Sequence, residues 1–309
     1  MKAYKIIRFS SFSLLLVLFC AFTSCSDWTQ MEPVESNVSK PWEQDPALWA
    51  QYTAALRAYK QTDHFLVYAR LNNSPKVATS EKDFMRGLPD SLDVVTLTNA
   101  DNFSALDGDD LTVMREKGTR VLYQVDYAAR AAEFADATAL GTYLDGVVAA
   151  VAARGLDGYS FTGALRMEDA ASKAAAALLV SKLGADETKL LVFEGNPLFV
   201  AEADRAKIDY FVLDTERTEQ VLDVQLQVLY AVEVVGVPAT KLLLAAEIDA
   251  PLNNEENEEQ PAIAEMTRRV ISAGPLAGLG VYNISGDYYN SDINYRLIRQ
   301  AIQTLNPSK

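Results

Sequence analysis

Short apolar runs alternate with longer segments of helical periodicity along most of this chain. The runs are rich in β-branched and aromatic residues, as is typical of buried strands. We expect eight strands: Phe65–Leu71, Val94–Asn99, Arg120–Tyr127, Leu156–Thr162, Leu190–Gly195, Tyr210–Asp214, Leu242–Glu247 and Gly280–Ser285. Strands that alternate with helices favour parallel βαβ units, and eight units in about 245 residues fit a closed barrel better than an open sheet.

The segments between these runs carry apolar residues on one face at helical spacing. The clearest predicted helix extends from about Ala131 to Arg154, and a first helix is expected over Asp45–Gln61. Two others cover Glu168–Leu183 and Glu219–Val235, each followed by a glycine that can end a helix. No GxGxxG motif follows the first strand, which argues against a nucleotide-binding fold. The predicted fold class is therefore α/β, a single-domain (β/α)8 TIM barrel.

The amino-terminal segment has the features of a secretory signal. Positive residues precede the apolar stretch Phe9–Phe22, which is too short for a comfortable membrane span. Small residues then lead to Cys25, and this pattern is similar to a bacterial lipobox, which implies lipidation of Cys25. An ordinary signal peptide with an incidental cysteine is the alternative. We expect residues 1–24 to be the signal peptide, 25–45 a lipidated polar tether and 46–309 the barrel domain.

The composition and the two residues after Cys25 indicate where the protein is located and which classes of partner it can have. Ser26 and Asp27 resemble the signal that places lipoproteins on the cell surface, which implies a lipid-anchored, surface-exposed protein of the outer membrane. The net charge of −14 makes nucleic acid a poor partner. Cys20 would leave with the signal and His64 is the only histidine, so we expect no thiol or serine–histidine catalysis, no metal site and no cofactor.

The fourth predicted strand carries the most specific motif. Asp157-Gly158 is followed by Ser160, Thr162 and Ala164, which alternate along the strand and therefore share the face that lines a barrel. This stretch resembles the DGxDxDxE signature of glycoside hydrolase family 18, the family of chitinases and endo-N-acetylglucosaminidases. Asp157 and Gly158 match the start of the signature. Ser160, Thr162 and Ala164 stand at its three later carboxylate positions.

The resemblance implies that catalysis of the family's kind is lost. In the family, the last carboxyl of the signature is the general acid, and the one two residues earlier orients the substrate's N-acetyl group. Ala164 has no proton to give and Thr162 has no negative charge. General acid catalysis alone contributes roughly 10²–10⁴-fold to a rate. The signature of this chain is therefore expected to be catalytically degenerate, with no catalytic residue in it.

Polar and aromatic residues cluster at the ends of the predicted strands, where a barrel has its functional mouth. They can hydrogen-bond to sugar hydroxyls or stack on sugar faces. The alternative is that the polar residues cap helices, and that Tyr282 belongs to the core. The candidates for glycan binding are Asp126, Tyr127, Glu194, Asn196, Asp214, Glu216, Glu247, Tyr282, Asp287 and Tyr288, with Phe199 and Tyr289 as further aromatic residues.

Three functional interpretations follow from the sequence. The favoured one is a non-catalytic surface glycan-binding lipoprotein that captures oligosaccharides containing N-acetylglucosamine, or N-glycans, for an outer-membrane glycan transporter. The second is a divergent glycosidase whose acid has moved to Glu194, Asp214, Glu216 or Glu247. The third is a purely structural component of a surface assembly.

Overall fold

A computed structural model describes residues 40–163 and 169–307 of the chain. Eight parallel strands form a closed barrel, in which the first strand pairs with the second on one side and with the last on the other. The barrel strands are β1 Leu66–Leu71, β2 Val94–Leu97, β3 Arg120–Val125, β4 Gly158–Gly163, β5 Leu190–Gly195, β6 Tyr210–Leu213, β7 Leu242–Glu247 and β10 Gly278–Tyr282. A small antiparallel hairpin, β8 Pro251–Asn253 and β9 Glu259–Pro261, follows β7.

α-Helices connect most strands of the barrel, whereas β1 is joined to β2 through two short 3-10 turns, Glu81–Asp83 and Met85–Gly87. The longer helices are α2 Pro46–Tyr59, α3 Ala105–Lys117, α5 Ala137–Arg154, α6 Ala170–Leu183, α8 Val221–Leu229, α9 Ala262–Ser272 and α10 Arg296–Leu305. Three have only one turn: α1 Pro41–Gln44, α4 Tyr127–Arg130 and α7 Glu202–Arg205. No helix in the described ranges is long and apolar enough to cross a membrane.

The chain divides into two compact units at Trp49 and Ala50. The described part of the first unit is residues 40–49, where the rings of Trp42 and Trp49 lie 5.6 Å apart. Asp45 Oδ1 accepts a hydrogen bond from the Leu48 amide there. The second unit contains the whole barrel.

The predicted (β/α)8 barrel is confirmed, and the differences lie at element boundaries. The last strand begins two residues earlier than expected, at Gly278, because a glycine adds nothing to an apolar pattern. The helix predicted from Ala131 begins as an α-helix only at Ala137, after the Asp136 carboxylate accepts from the Ala139 amide. The predicted start at Glu168 lies outside the described residues, and α6 begins at Ala170.

Strand alternation divides the core into an inner and an outer cluster. The inner cluster fills the barrel with Tyr68, Val94, Leu122, Leu190, Val192, Val212, Leu243, Ala245 and Tyr282. The alternate residues of each strand pack outward against the helices. Because the even-numbered positions of β3 and β5 face inward, the even-numbered positions of the neighbouring β4 do so as well. Register therefore brings Ser160 and Thr162 to the interior, as the sequence predicted.

Candidate functional site

The two described inward positions of β4 carry hydroxyl groups that are engaged with the protein. Ser160 is fully buried, and its Oγ lies 2.7 Å from Thr96 Oγ1. Thr162 Oγ1 donates to Asp126 Oδ1 at 2.7 Å and accepts from the Ala128 amide at 2.9 Å. Ala164 lies outside the described residues. Neither described side chain can act as a general acid, since a hydroxyl does not release its proton at neutral pH.

Asp157 and Gly158, the two residues that match the start of the signature, have a structural role. The Asp157 carboxylate accepts a hydrogen bond from the Val121 amide of the neighbouring strand at 2.8 Å. A Cβ added to Gly158 would lie 2.0 Å from the Leu190 carbonyl oxygen, so only glycine allows β5 to approach here. Asp157 and Gly158 thus align β4 with β3 and pack it against β5.

Glu194, the inward carboxylate beside Thr162, is held by three donors at the barrel centre. It accepts from Tyr68 Oη at 2.9 Å, from Gln124 Nε2 at 2.8 Å and from Arg70 Nε at 2.5 Å. Its side chain has no exposed surface. The predicted glycan contact of Glu194 does not fit this geometry, because both oxygens already have protein partners and a sugar cannot reach them.

Arg70 joins this buried network to the mouth of the barrel. Its guanidinium carbon lies 3.5 Å from the centre of the Tyr282 ring, and 26% of its side chain remains exposed. Burial by itself lowers the pKa of Arg70, but the adjacent Glu194 charge more than offsets this and raises the pKa above its ordinary value. Burial and the same carboxylate raise the pKa of Tyr282. Sequence reasoning missed Arg70, although a charged residue at an inward strand position was a usable signal.

A cavity of 410 Å³ opens at the carboxyl ends of five strands: β1, β2, β6, β7 and β10. Its walls are mostly polar. The lining residues are Arg70, Asn72, Lys82, Asp83, Thr98, Glu216, Arg217, Glu247, Tyr282, Asn283, Ile284 and Ser285. Three sequence candidates meet here, namely Glu216, Glu247 and Tyr282. Tyr282 is 5% exposed and also belongs to the inner core, as the alternative interpretation had it.

Glu216 shares a hydrogen bond with Asp214, the exposed residue that directly follows β6. Burial, this hydrogen bond and the Asp214 charge raise the pKa of Glu216 to about 7. The buried Oε2 atom of Glu216 has no donor among the described residues. The Glu216 carboxyl is therefore partly protonated near neutral pH.

Three candidates act as caps instead of lining the cavity. The Asp287 carboxylate is buried and accepts from the Leu297 and Ile298 amides at the start of α10. Asn196 accepts from the Leu198 amide, and Asp126 from the Ala129 amide. These hydrogen bonds are those of helix caps, which was the alternative interpretation of the polar candidates. Asp287 in particular is not accessible to a sugar.

The other aromatic candidates lie outside this cavity. Tyr127 is half-buried, and its ring centre lies 6.3 Å from that of Phe134 and 5.9 Å from that of Phe199. Tyr288 packs edge-on against Tyr289, which is 67% exposed. The half-buried and exposed rings offer apolar surface beside the mouth, whereas Phe199 is buried.

Comparisons with known proteins agree with the fold and with the predicted family resemblance. Residues 29–138 match the family described as Glycoside hydrolase family 18, BT1044-like. This match ends before β4, so it covers neither the signature nor Glu216. No curated protein matches the sequence significantly.

Solved structures with the same barrel include three informative ones. BT1044, solved with selenomethionine and a Glu-to-Gln substitution, has a TM-score of 0.68 at 16% identity, covering 87% of this chain and 96% of that one. An endo-beta-N-acetylglucosaminidase mutant from Cordyceps militaris, complexed with fucosyl-N-acetylglucosamine-Asn, has a TM-score of 0.61 at 18% identity and covers 82% and 95%. A chitinase from Bacteroides thetaiotaomicron has a TM-score of 0.59 at 12% identity and covers 79% and 97%. The predicted resemblance to glycoside hydrolase family 18 is confirmed.

Proposed function

We propose that this protein binds glycans without hydrolysing them, on a family 18-like barrel whose catalytic strand has lost its acids. The observation that carries the proposal is the pair Ser160 and Thr162, whose hydroxyls occupy the inward positions of β4 and bond to protein partners. Glu194, the inward carboxylate paired with Thr162 on the neighbouring strand β5, is enclosed by three donors and has no route to a substrate. A polar cavity of 410 Å³ at the mouth offers space for sugar residues.

The glycan class is proposed from the relatives. One related structure is a complex with fucosyl-N-acetylglucosamine-Asn, and others are chitinases. We therefore place oligosaccharides containing N-acetylglucosamine, or N-glycans, among the first ligands to test. The proposed setting is the outer membrane, with the chain anchored through a lipid on Cys25 and delivering glycan to a transporter. This setting rests on the amino-terminal sequence alone, because Cys25 lies outside the described residues.

Binding and turnover measured on the same sample test the proposal. We expect wild-type protein to be retarded in affinity electrophoresis by N-acetylglucosamine-containing glycans. The same protein should release no reducing ends from those glycans on prolonged incubation. Sustained turnover by the pure protein would overturn the non-catalytic assignment, and failure to bind any glycan on a broad array would overturn the binding assignment.

A divergent glycosidase is the second candidate, and the acidic pair at β6 is the observation that favours it. A carboxyl whose pKa is about 7 keeps its proton in about half of the molecules at neutral pH, and a pKa near the working pH is the property required of a general acid. If wild-type protein hydrolyses a glycan, Glu216→Gln should abolish turnover while leaving binding in place. An unchanged rate in that variant would exclude Glu216 as the acid.

A further inference from the structure

Helix α8 and the π-helical turn Tyr230–Val234 that continues it present one apolar face to the core. The residues of this inner face are buried and lie at helical spacing, namely Val224, Val228, Ala231 and Val235. One such stripe attaches a surface helix to its core, and polar residues are expected on the opposite side. The opposite side of this helix does not follow that rule.

The outward side carries five large hydrophobic side chains, which we call the outer face. They are Leu222, Leu226, Leu229, Tyr230 and Val234, and their exposed fractions are 56%, 63%, 57%, 44% and 67%. The described part of the chain exposes twelve large hydrophobic residues in all, so this one element holds five of them. Single exposed apolar residues are ordinary, whereas a contiguous patch marks a surface that another molecule covers.

Four residues of the outer face form a continuous ridge. Leu222, Leu226, Tyr230 and Val234 follow one another at a spacing of four, and side chains at that spacing are neighbours on successive turns. Ridges of this kind fit the grooves of another helix, which is the commonest way in which helices pack. The π-helical turn lies within the ridge, and such irregular turns are frequent at functional sites. The shape of the outer face therefore suits a helical partner.

The border of the outer face is acidic. Asp223 and Glu233 are the exposed charged residues of the helix, and the exposed Glu219 precedes it. The Asn253 amide donates to the Glu219 carbonyl at 2.9 Å, which joins the β8–β9 hairpin with its four exposed glutamates to the start of α8. Residues 219–260 contain nine acidic residues and one basic residue, whereas the whole chain has 42 and 28. The negative charge is thus concentrated around this helix.

Two positive groups at the ends of the helix do not balance this charge. Arg217 is exposed and precedes Glu219. Arg205 donates through Nη1 to the Val235 carbonyl at 2.6 Å, at the end of the π-helical turn. The long border between these ends remains negative.

This charge decides among the molecules that could cover the outer face. A two-fold contact between copies of the chain would place the same acidic border against itself, and like charges that meet in this way oppose association. Helices that lie on lipid surfaces are rich in lysine and arginine on their polar face, which is the reverse of the arrangement here. A basic protein partner satisfies both the apolar ridge and its acidic border.

We propose that the outer face of α8 docks a second protein through a surface helix whose apolar side is bordered by lysine and arginine. The partner's apolar side chains pack along the ridge from Leu222 to Val234. Its positive groups meet Asp223, Glu233 and the glutamates of the hairpin. The surface lies on the outside of the barrel, so the inference is independent of glycan binding at the mouth.

Fluorescence anisotropy with two labelled synthetic peptides tests this inference. The first peptide is a helix of about four turns with leucine on one side and lysine on the other, and the second has glutamate in place of every lysine. We expect the full protein to bind the lysine peptide at least about tenfold more tightly than the glutamate peptide at about 0.15 M salt. Leu226→Gln should weaken that binding about tenfold, and Leu222→Gln should act in the same direction.

Leu106→Gln is the matched control, because it makes the same change at a leucine of α3 that is 45% exposed. It should leave the affinity for the lysine peptide unchanged. Equal losses in Leu106→Gln and Leu226→Gln would show that the peptide adheres to any apolar surface, which overturns the inference. Equal affinity for the two peptides, or no binding of the lysine peptide, overturns it as well.

Two further measurements on the same variants separate the other occupants. Light scattering after size exclusion should show the same mass for wild type and Leu226→Gln. A wild-type dimer that dissociates in this variant would assign the outer face to a second copy of the chain and overturn the inference. Binding to phosphatidylcholine vesicles that is lost in Leu226→Gln would assign it to lipid, with the same consequence.

Discussion

At the scale of single residues, the ion pair of Arg70 and Glu194 is the most consequential contact in the barrel. Glu194 has no exposed side-chain surface, and Arg70 Nε lies 2.5 Å from it. Removing one partner of a buried pair leaves the other charge without compensation. We expect Arg70→Met to lower the free energy of unfolding by about 3 kcal/mol, as measured by urea denaturation.

The double variant Arg70→Met, Glu194→Met is the control for that prediction. It removes both charges and fills similar volume, so most of the lost stability should return. A double variant as unstable as the single one would show that packing, and not the uncompensated charge, causes the loss.

Sequence alone could place Ser160, Thr162 and Arg70 in the barrel interior, but it could not identify the ion-pair partner of Arg70. Alternation along one strand determines which residues face the barrel interior, and this depends only on local periodicity. The partner of Arg70, Glu194, is 124 residues away, and nothing in the sequence of either segment indicates that the two residues pair. The raised pKa of Glu216 is a similar case, since it depends on the turn after β6 and on burial by other strands.

At the scale of elements, aspartates at the starts of strands join each strand to its neighbour. Asp93, Asp157 and Asp209 each precede a strand, and their carboxylates accept from the amides of Val67, Val121 and Leu191 at 2.9, 2.8 and 2.8 Å. These bonds lie at the amino-terminal end of the barrel, opposite the mouth. The retained Asp157 of the family signature is therefore one of a set of register contacts.

Gly158 provides a prediction for the same strand. A Cβ there would lie 2.0 Å from the Leu190 backbone oxygen and 2.6 Å from the Leu190 backbone nitrogen, and backbone atoms of a paired strand cannot move aside. We expect Gly158→Ala to prevent correct pairing of β4 with β5, which should give an insoluble protein or a loss of several kcal/mol in stability. Soluble expression and thermal unfolding followed by circular dichroism are the measurements.

Gly146→Ala is the control for that substitution. Gly146 lies in the middle of α5, is exposed, and has nothing within 4 Å of an added Cβ. Alanine should therefore stabilise the protein by about 0.5–1 kcal/mol, because it favours the helix more than glycine does. If both variants behave alike, the close approach at Gly158 is not what requires a glycine.

Helix α8 shows where an element could not be predicted in full. Apolar residues lie all around it, so that Val224 is completely buried while Leu226 is 63% exposed. The pattern indicated a helix to Val235, but the α-helix ends at Leu229 and continues as a π-helical turn over Tyr230–Val234. A periodicity of apolar positions marks a helix; it does not show which of two apolar faces is covered.

At the scale of the whole molecule, the fold could be predicted because eight local patterns repeat, each with a strand followed by a helix. Closure of the barrel could be inferred only from the number of these strand–helix patterns. In the structure, closure depends on the pairing of β1 with β10. A Cβ added to Gly278 would lie 2.0 Å from the Leu66 carbonyl oxygen, so the close approach of the two strands requires a glycine here. That glycine is also the residue that hid the start of the last strand from the pattern.

The same region ties the two ends of the barrel sequence together through one side chain. Asn306, at the end of α10, accepts from the Phe65 amide at 2.9 Å and donates to the Phe65 carbonyl at 2.8 Å. Phe65 directly precedes β1, so this double hydrogen bond joins residues 241 positions apart. A contact of that separation forms only when the barrel closes, and it contributes to the stability of the closed state.

Replacing this asparagine tests its contribution to closure. Asn306→Ala should cost about 1–2 kcal/mol, because two partly buried backbone groups lose their partner at once. The change should lower the midpoint of urea unfolding and leave its slope unaltered, since the folded and unfolded states keep their exposed areas. Gln303→Ala, an exposed change on the same helix, should shift the midpoint very little. Equal shifts in the two variants would mean that the Asn306 side chain adds nothing to closure beyond its place at the helix end.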